Sequence, residues 1–147
     1  MNLKKDQPYV LFLQETKCTS EIIYQMMAWI YKYCLTIVID AQGVSGGLSI
    51  HWNPLLITLD EATSSRHSLS SSFHIHGSSI KGFIMNVYGP QTVNSKMNLL
   101  NHLDWFYNLH LDSPVLRGGD FNMITNLGVK KVESNLFRWK MMPSKTL

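Results

Sequence analysis

Lys81-Gly82-Phe83-Ile84-Met85-Asn86-Val87-Tyr88-Gly89-Pro90 carries the strongest strand signal in the chain. The run is dominated by strand formers, and Gly89-Pro90 ends it sharply. Tyr88 is the last residue of the run before that break.

Upstream, Phe73-His74-Ile75-His76 alternates, with both histidines on one face and Phe73 and Ile75 on the other. Such a pair either binds a metal or forms the polar outer face of an edge strand; no third ligand stands near it in sequence. Residues 63–72 are Ser-rich, contain Arg66 and His67, and read as a loop or hairpin. Residues 55–59 read as a strand. Leu48-Ser49-Ile50-His51-Trp52 alternates as a half-buried strand between the breaks Ser45-Gly46-Gly47 and Asn53-Pro54. Leu35-Thr36-Ile37-Val38-Ile39-Asp40 is another strand. Before it, Ile22, Ile23, Met26, Met27, Ile30 and Tyr31 recur at helical spacing after a Thr19 or Ser20 cap, a core-like stripe. Tyr9-Val10-Leu11-Phe12-Leu13 is a continuous apolar run, which suits a strand buried on both faces, and it ends in Gln14-Glu15-Thr16-Lys17.

Downstream, Asn94 or Ser95 caps a helix carrying Leu99, Leu100, Leu103, Phe106 and Tyr107 on one side. Pro114-Val115-Leu116 then leads into Arg117-Gly118-Gly119-Asp120-Phe121-Asn122. The pattern weakens beyond Asn122. The order strand, helix, strand, several strands, helix, strand is a mixed α/β layout whose sheets need helical cover.

The 147 residues fit one domain. With 45% apolar and 16% charged residues the chain is not of a disordered class. It has no apolar run of about 18 residues, so no transmembrane helix is expected. Residues 1–8 lack a secretory signal pattern, so the protein is expected not to be secreted. Cys18 and Cys34 form no CxxC pair, which argues for free thiols rather than a zinc site. The net charge of +3 arises beyond residue 116, where six basic residues face two acids. That asymmetry suits a polyanion or a solvated basic tail.

Three polar clusters follow apolar strands: Gln14-Glu15-Thr16, Asn86-Val87-Tyr88-Gly89-Pro90 and Gly119-Asp120-Phe121-Asn122. If those strands share a rim, two carboxylates, a tyrosine and an amide converge there. Mg²⁺ takes one or two carboxylates plus water and phosphate, and the hydroxyl and amide can hydrogen-bond a phosphate oxygen. That is a phosphodiester site.

In this order and spacing, Leu13-Gln14-Glu15-Thr16-Lys17, Ser45-Gly46-Gly47-Leu48-Ser49-Ile50, Asn86-Val87-Tyr88-Gly89-Pro90 and Gly118-Gly119-Asp120-Phe121-Asn122 resemble the endonuclease/exonuclease/phosphatase superfamily. The closest likeness is to the apurinic-type endonuclease domain of plant non-LTR (LINE-type) retrotransposons. The resemblance covers residues 9–126, leaving 1–8 as an N-terminal extension and 127–147 as an irregular basic tail. It implies an α/β (α+β) DNase I-like two-layer β-sandwich flanked by helices. It implies Mg²⁺-dependent phosphodiester hydrolysis, with Mn²⁺ able to substitute, and DNA as partner. Glu15 matches the metal-binding glutamate, Tyr88 the tyrosine contacting the scissile phosphate, Asp120 the aspartate that orients or activates water, and Asn122 the phosphate-binding asparagine. The working place of such an enzyme is nuclear, otherwise cytoplasmic.

The departures set further expectations. No Asn-x-Arg-Gly-type strand precedes Tyr9, no Asp follows Asp120 and no His follows His110. The resemblance therefore implies a domain incomplete at both ends and impaired in catalysis, with one sheet face left open. His74, His76 and His102 are the candidate replacements for the family's histidine. The alternative functions are a non-enzymatic remnant with weak nucleic-acid binding, and a phosphatase-type relative acting on other phosphate esters.

Overall fold

Alternation along the strands and the helical stripes organise the chain as the sequence indicates. The computed structural model describes residues 8–42 and 46–122. Residues 1–7, Ser45 and the proposed tail 127–147 lie outside the described residues. In chain order the elements are β1 (Val10–Gln14), α1 (Ser20–Ile30), β2 (Leu35–Ile39), β3 (Leu48–Trp52), β4 (Ile57–Ser64), β5 (Ser68–Ile75), β6 (Lys81–Tyr88), α2 (Val93–Leu109) and β7 (Val115–Asp120).

These strands build two sheets. One has the order β1-β3-β2, the other β4-β5-β6-β7. Every pairing is antiparallel except β6 with β7, which is parallel and needs the α2 crossover between them. The sheets face each other. Ile50 and Trp52 of β3, Leu69 and Phe73 of β5 and Ile84 of β6 form their shared core, with Val10 and Phe12 of β1 packed against it.

Each outer face is covered by a helix. α1 buries Ile23 and Met27 with Tyr31 on Leu11, and Leu13 joins them. α2 buries Leu99, Leu103 and Phe106 on Met85 and Val87. Apolar side chains of β1 and β6 thus point alternately into the sandwich and out to a helix, which explains their unbroken apolar runs. The α/β DNase I-like sandwich with flanking helices is present. The expectation of an open sheet face is corrected: β4 to β7 are the second sheet, packed on the first.

Four local readings are corrected. The helical stripes are narrower than the periodicity suggests: Ile22 and Met26 are exposed, as are Leu100 and Tyr107. α2 starts earlier, with Thr92 as its N-cap in extended backbone instead of Asn94 or Ser95. The Ser-rich stretch is mostly strand, because its hydroxyls find partners. β4 bulges between Leu59 and Ala62, and Ser71 Oγ donates to the Asp60 carbonyl at 2.9 Å. Finally, β5 is an interior strand, so His74 is not on a sheet edge, and His76 lies in the turn after it. His74 Nε2 donates to the Ser78 carbonyl at 3.1 Å. His76 Nδ1 donates to the Leu55 carbonyl at 3.1 Å, while its Nε2 lies 2.6 Å from Thr58 Oγ1.

Candidate active site

The ends of β1, β6 and β7 carry the four residues singled out from sequence. β6 and β7 run in parallel register, which sets Tyr88 beside Asp120. Both lie on the side of their sheet that faces β1, the side of Ile84 and Asn86. The two strand ends are locked to each other. Gly89 N donates to the Asp120 carbonyl at 2.6 Å, and Asn122 Nδ2 donates to the Gly89 carbonyl at 2.5 Å. Two glycines allow this approach. A Cβ on Gly89 would stand 2.0 Å from the Phe121 carbonyl oxygen, and one on Gly119 1.9 Å from that of Val87.

Asn122 has a left-handed backbone, φ 49°, and its N–H donates to Asp120 Oδ1 at 2.9 Å. One carboxylate oxygen of Asp120 is thereby held by its own turn. Asp120 itself is exposed at the end of β7.

β1 brings Glu15 from the other sheet. Glu15 and Lys17 both have positive φ, 47° and 52°, on either side of Thr16. Each such non-glycine conformation costs of order 1–2 kcal/mol. Gly46 and Gly47 hold the turn: Thr16 N donates to the Gly47 carbonyl at 3.3 Å and Lys17 N to that of Gly46 at 3.1 Å. Strain gathered at exposed polar residues points towards function.

The Tyr88 hydroxyl is where these elements meet. Burial raises its pKa above the ordinary phenol value, and the Glu15 carboxylate, as hydrogen-bond acceptor and as charge, raises it further. Asp120 adds to the rise through its charge, and the Asn122 amide opposes it. Glu15, Asp120 and Asn122 thus all bear on the Tyr88 hydroxyl. The phenol keeps its proton and can donate it in a hydrogen bond.

The donors suit a hard cation. Two carboxylates, a phenol and an amide are oxygen donors, and Mg²⁺ typically takes one or two carboxylates and keeps water. Among the described residues no cluster of three or more His, Cys, Asp or Glu could cage a metal. The set fits an ion shared with water and phosphate, held by Glu15 and Asp120.

The candidate replacement histidines lie elsewhere. His74 pairs with Lys81, at the opposite end of β6 from Tyr88, and His76 follows it. His102 on α2 stacks on Trp105 and lies 3.5 Å from Ser68 Oγ. The histidine at the rim is His67, which sequence reading passed over inside a Ser-rich loop. Its Nδ1 donates to the Tyr88 carbonyl at 3.1 Å, and its own carbonyl accepts from Tyr88 N at 2.9 Å. Asn86 was also passed over as an actor. It is fully buried, although it interrupts an apolar run.

Solved structures share this architecture. The human Nocturnin catalytic domain with bound sulfate aligns at TM-score 0.63 and 12% identity, over 82% of this chain and 54% of that one. Danio rerio TDP2 complexed with a single-stranded DNA product aligns at 0.64 and 17%, over 83% and 51%. An endonuclease/exonuclease/phosphatase family protein from Bacteroides thetaiotaomicron aligns at 0.66 and 12%, over 82% and 51%. The fold is that of the endonuclease/exonuclease/phosphatase proteins. This DNase I-like chain spans about half the length of those structures. No protein-family model and no curated protein matches it.

Proposed function

We propose that this chain carries the Glu15–Tyr88–Asp120–Asn122 part of a divalent-metal-dependent phosphodiester hydrolase that acts on DNA. The observation that carries the reading is the meeting of three strand ends from two sheets at one rim: Tyr88 pairs with Asp120, Asn122 bonds Gly89, and Gln14, next to Glu15, bonds Asn86. Their chemistry matches the reaction. Tyr88 and Asn122 carry neutral donor groups that a phosphate oxygen can recruit from their present partners, and the Asp120 carboxylate can accept a proton from a water and orient it. Glu15 and Asp120 would hold Mg²⁺, which supplies Lewis-acid polarisation and offsets charge on the phosphate.

DNA as substrate, and the branch represented by the apurinic-type endonucleases of non-LTR retrotransposons, rest on the motif resemblance. A DNase I-like neighbour, TDP2, was crystallised with a single-stranded DNA product, which supports a nucleic-acid substrate. The corresponding working place is nuclear. The His67 ring is engaged with the Tyr88 carbonyl rather than with the Tyr88 hydroxyl, so no histidine among the described residues takes the place of the family's histidine. Such a group typically contributes about 10²–10⁴-fold, so turnover by this chain is expected to be slow.

Plasmid nicking with Mg²⁺ tests the reading. The purified chain should convert supercoiled DNA to the open form, and both Glu15→Ala and Asp120→Ala should abolish conversion. No conversion, or equal conversion by all three proteins, would favour a DNA-binding remnant over an enzyme.

A further inference from the structure

The buried Asn86 amide joins the two sheets directly below the site. It is fully buried on β6, two residues before Tyr88. Its Oδ1 accepts from Gln14 Nε2 at 2.5 Å. Its Nδ2 donates to the Leu13 carbonyl at 2.9 Å and to the Ser49 carbonyl at 3.0 Å. One side chain on β6 thus holds β1 at Leu13 and Gln14, and β3 at Ser49. Its three hydrogen bonds use both amide protons and one oxygen lone pair.

The three partners lie next to the catalytic candidates in a specific way. Gln14 is the last residue of β1, and Glu15 follows it in left-handed backbone. Ser49 is the second residue of β3, just after the Gly46-Gly47 pair that receives Thr16 and Lys17. The sheets otherwise meet here through apolar side chains, which are non-directional and do not fix one strand along another. Three directed bonds in a dry interface do fix it, and any one left unmade would be costly.

We propose that Asn86 and Gln14 are positioning residues that set the Glu15 carboxylate opposite Tyr88 and Asp120 for divalent-cation binding. The proposal rests on the site reading above and extends it to two residues that touch neither ion nor phosphate. Residues that orient metal ligands in this way typically contribute about 10–100-fold to metal affinity.

The test is Mn²⁺ affinity, read by the loss of the free-ion electron paramagnetic resonance signal, with no substrate present. Wild type is compared with Glu15→Gln, Gln14→Met and Asn86→Leu, and thermal melting without metal is followed in each. Gln14→Met removes one bond from a partly buried position and is expected to fold; Asn86→Leu strands three polar groups and melts much lower. The expected result is near-complete loss of binding in Glu15→Gln and about tenfold weaker binding in Gln14→Met at a temperature well below its melting point. Wild-type affinity in folded Gln14→Met, with Glu15→Gln defective, overturns the positioning role and leaves the site reading standing. Absent Mn²⁺ uptake by wild type, or uptake indifferent to Glu15→Gln, overturns both.

Discussion

His51 is the most completely buried ionisable side chain outside the site, and its chemistry is set by its neighbours. It lies on β3, with Nδ1 2.8 Å from Thr36 Oγ1 and Nε2 2.7 Å from Ser49 Oγ. Burial lowers its pKa from 6.5 to about 4. The unfolded chain therefore takes up a proton that the folded chain refuses. Stability is fully present above pH 6.5 and is lost as pH falls towards 4, by about 3 kcal/mol in all. Urea titrations across that window should show the loss, and His51→Gln should remove most of it. A wild-type acid limb unchanged in the variant would show that other groups dominate. At this scale the sequence named Glu15, Tyr88, Asp120 and Asn122, and the fold sets Tyr88 beside Asp120. The sequence placed Asn86 in a motif but gave it no role, because its partners stand 37 to 73 positions away, a distance that no local pattern spans.

At the level of elements, termini proved less legible than runs. β3 and β6 occupy the stretches that announced them, but β3, read as half-buried from its alternation, is buried on both faces because His51 bonds both Ser49 and Thr36. Helix starts depend on partners from elsewhere. The Thr19 side chain makes no capping bond to α1; instead Asp40, just past β2, accepts from Ser20 N at 2.7 Å. A carboxylate at a helix N-terminus satisfies an orphan donor and meets the positive end of the dipole. Asp40→Ala should cost about 1 kcal/mol, measurable as a lower urea midpoint with an unchanged slope. No measurable change would mean that solvent caps α1 equally well. The β4–β5 hairpin was half-read for a similar reason: serine is a poor strand former unless its hydroxyl is satisfied, and the bulged Asp60 carbonyl does that.

For the whole molecule, the sandwich was readable only as a class. Composition and element order gave mixed α/β, but the pairing of β4 to β7 into a second sheet is a long-range outcome. The assembled rim is acidic at Glu15 and Asp120 and has Lys17 and Arg66 beside it, in the turns next to Glu15 and His67. A polyanion approaching such a rim releases counterions as it meets the cations. DNA affinity should therefore fall linearly on a log–log plot against salt, with a slope of about −0.9 for each phosphate neutralised on duplex DNA. Filter binding at several salt concentrations measures it, and a flat profile would argue against a nucleic-acid partner.

The turn after β1 has a final consequence. Its backbone at position 15 is the kind that glycine adopts without steric cost, and the chain places a long acidic side chain there instead. Folding and chemistry make opposite demands on that one position. Replacing the residue by glycine would relax the turn and remove the carboxylate in the same step, so selection for stability alone would erode the site. At position 15 the backbone is less relaxed than a glycine would make it, and on the proposed reading the retained carboxylate is the reason.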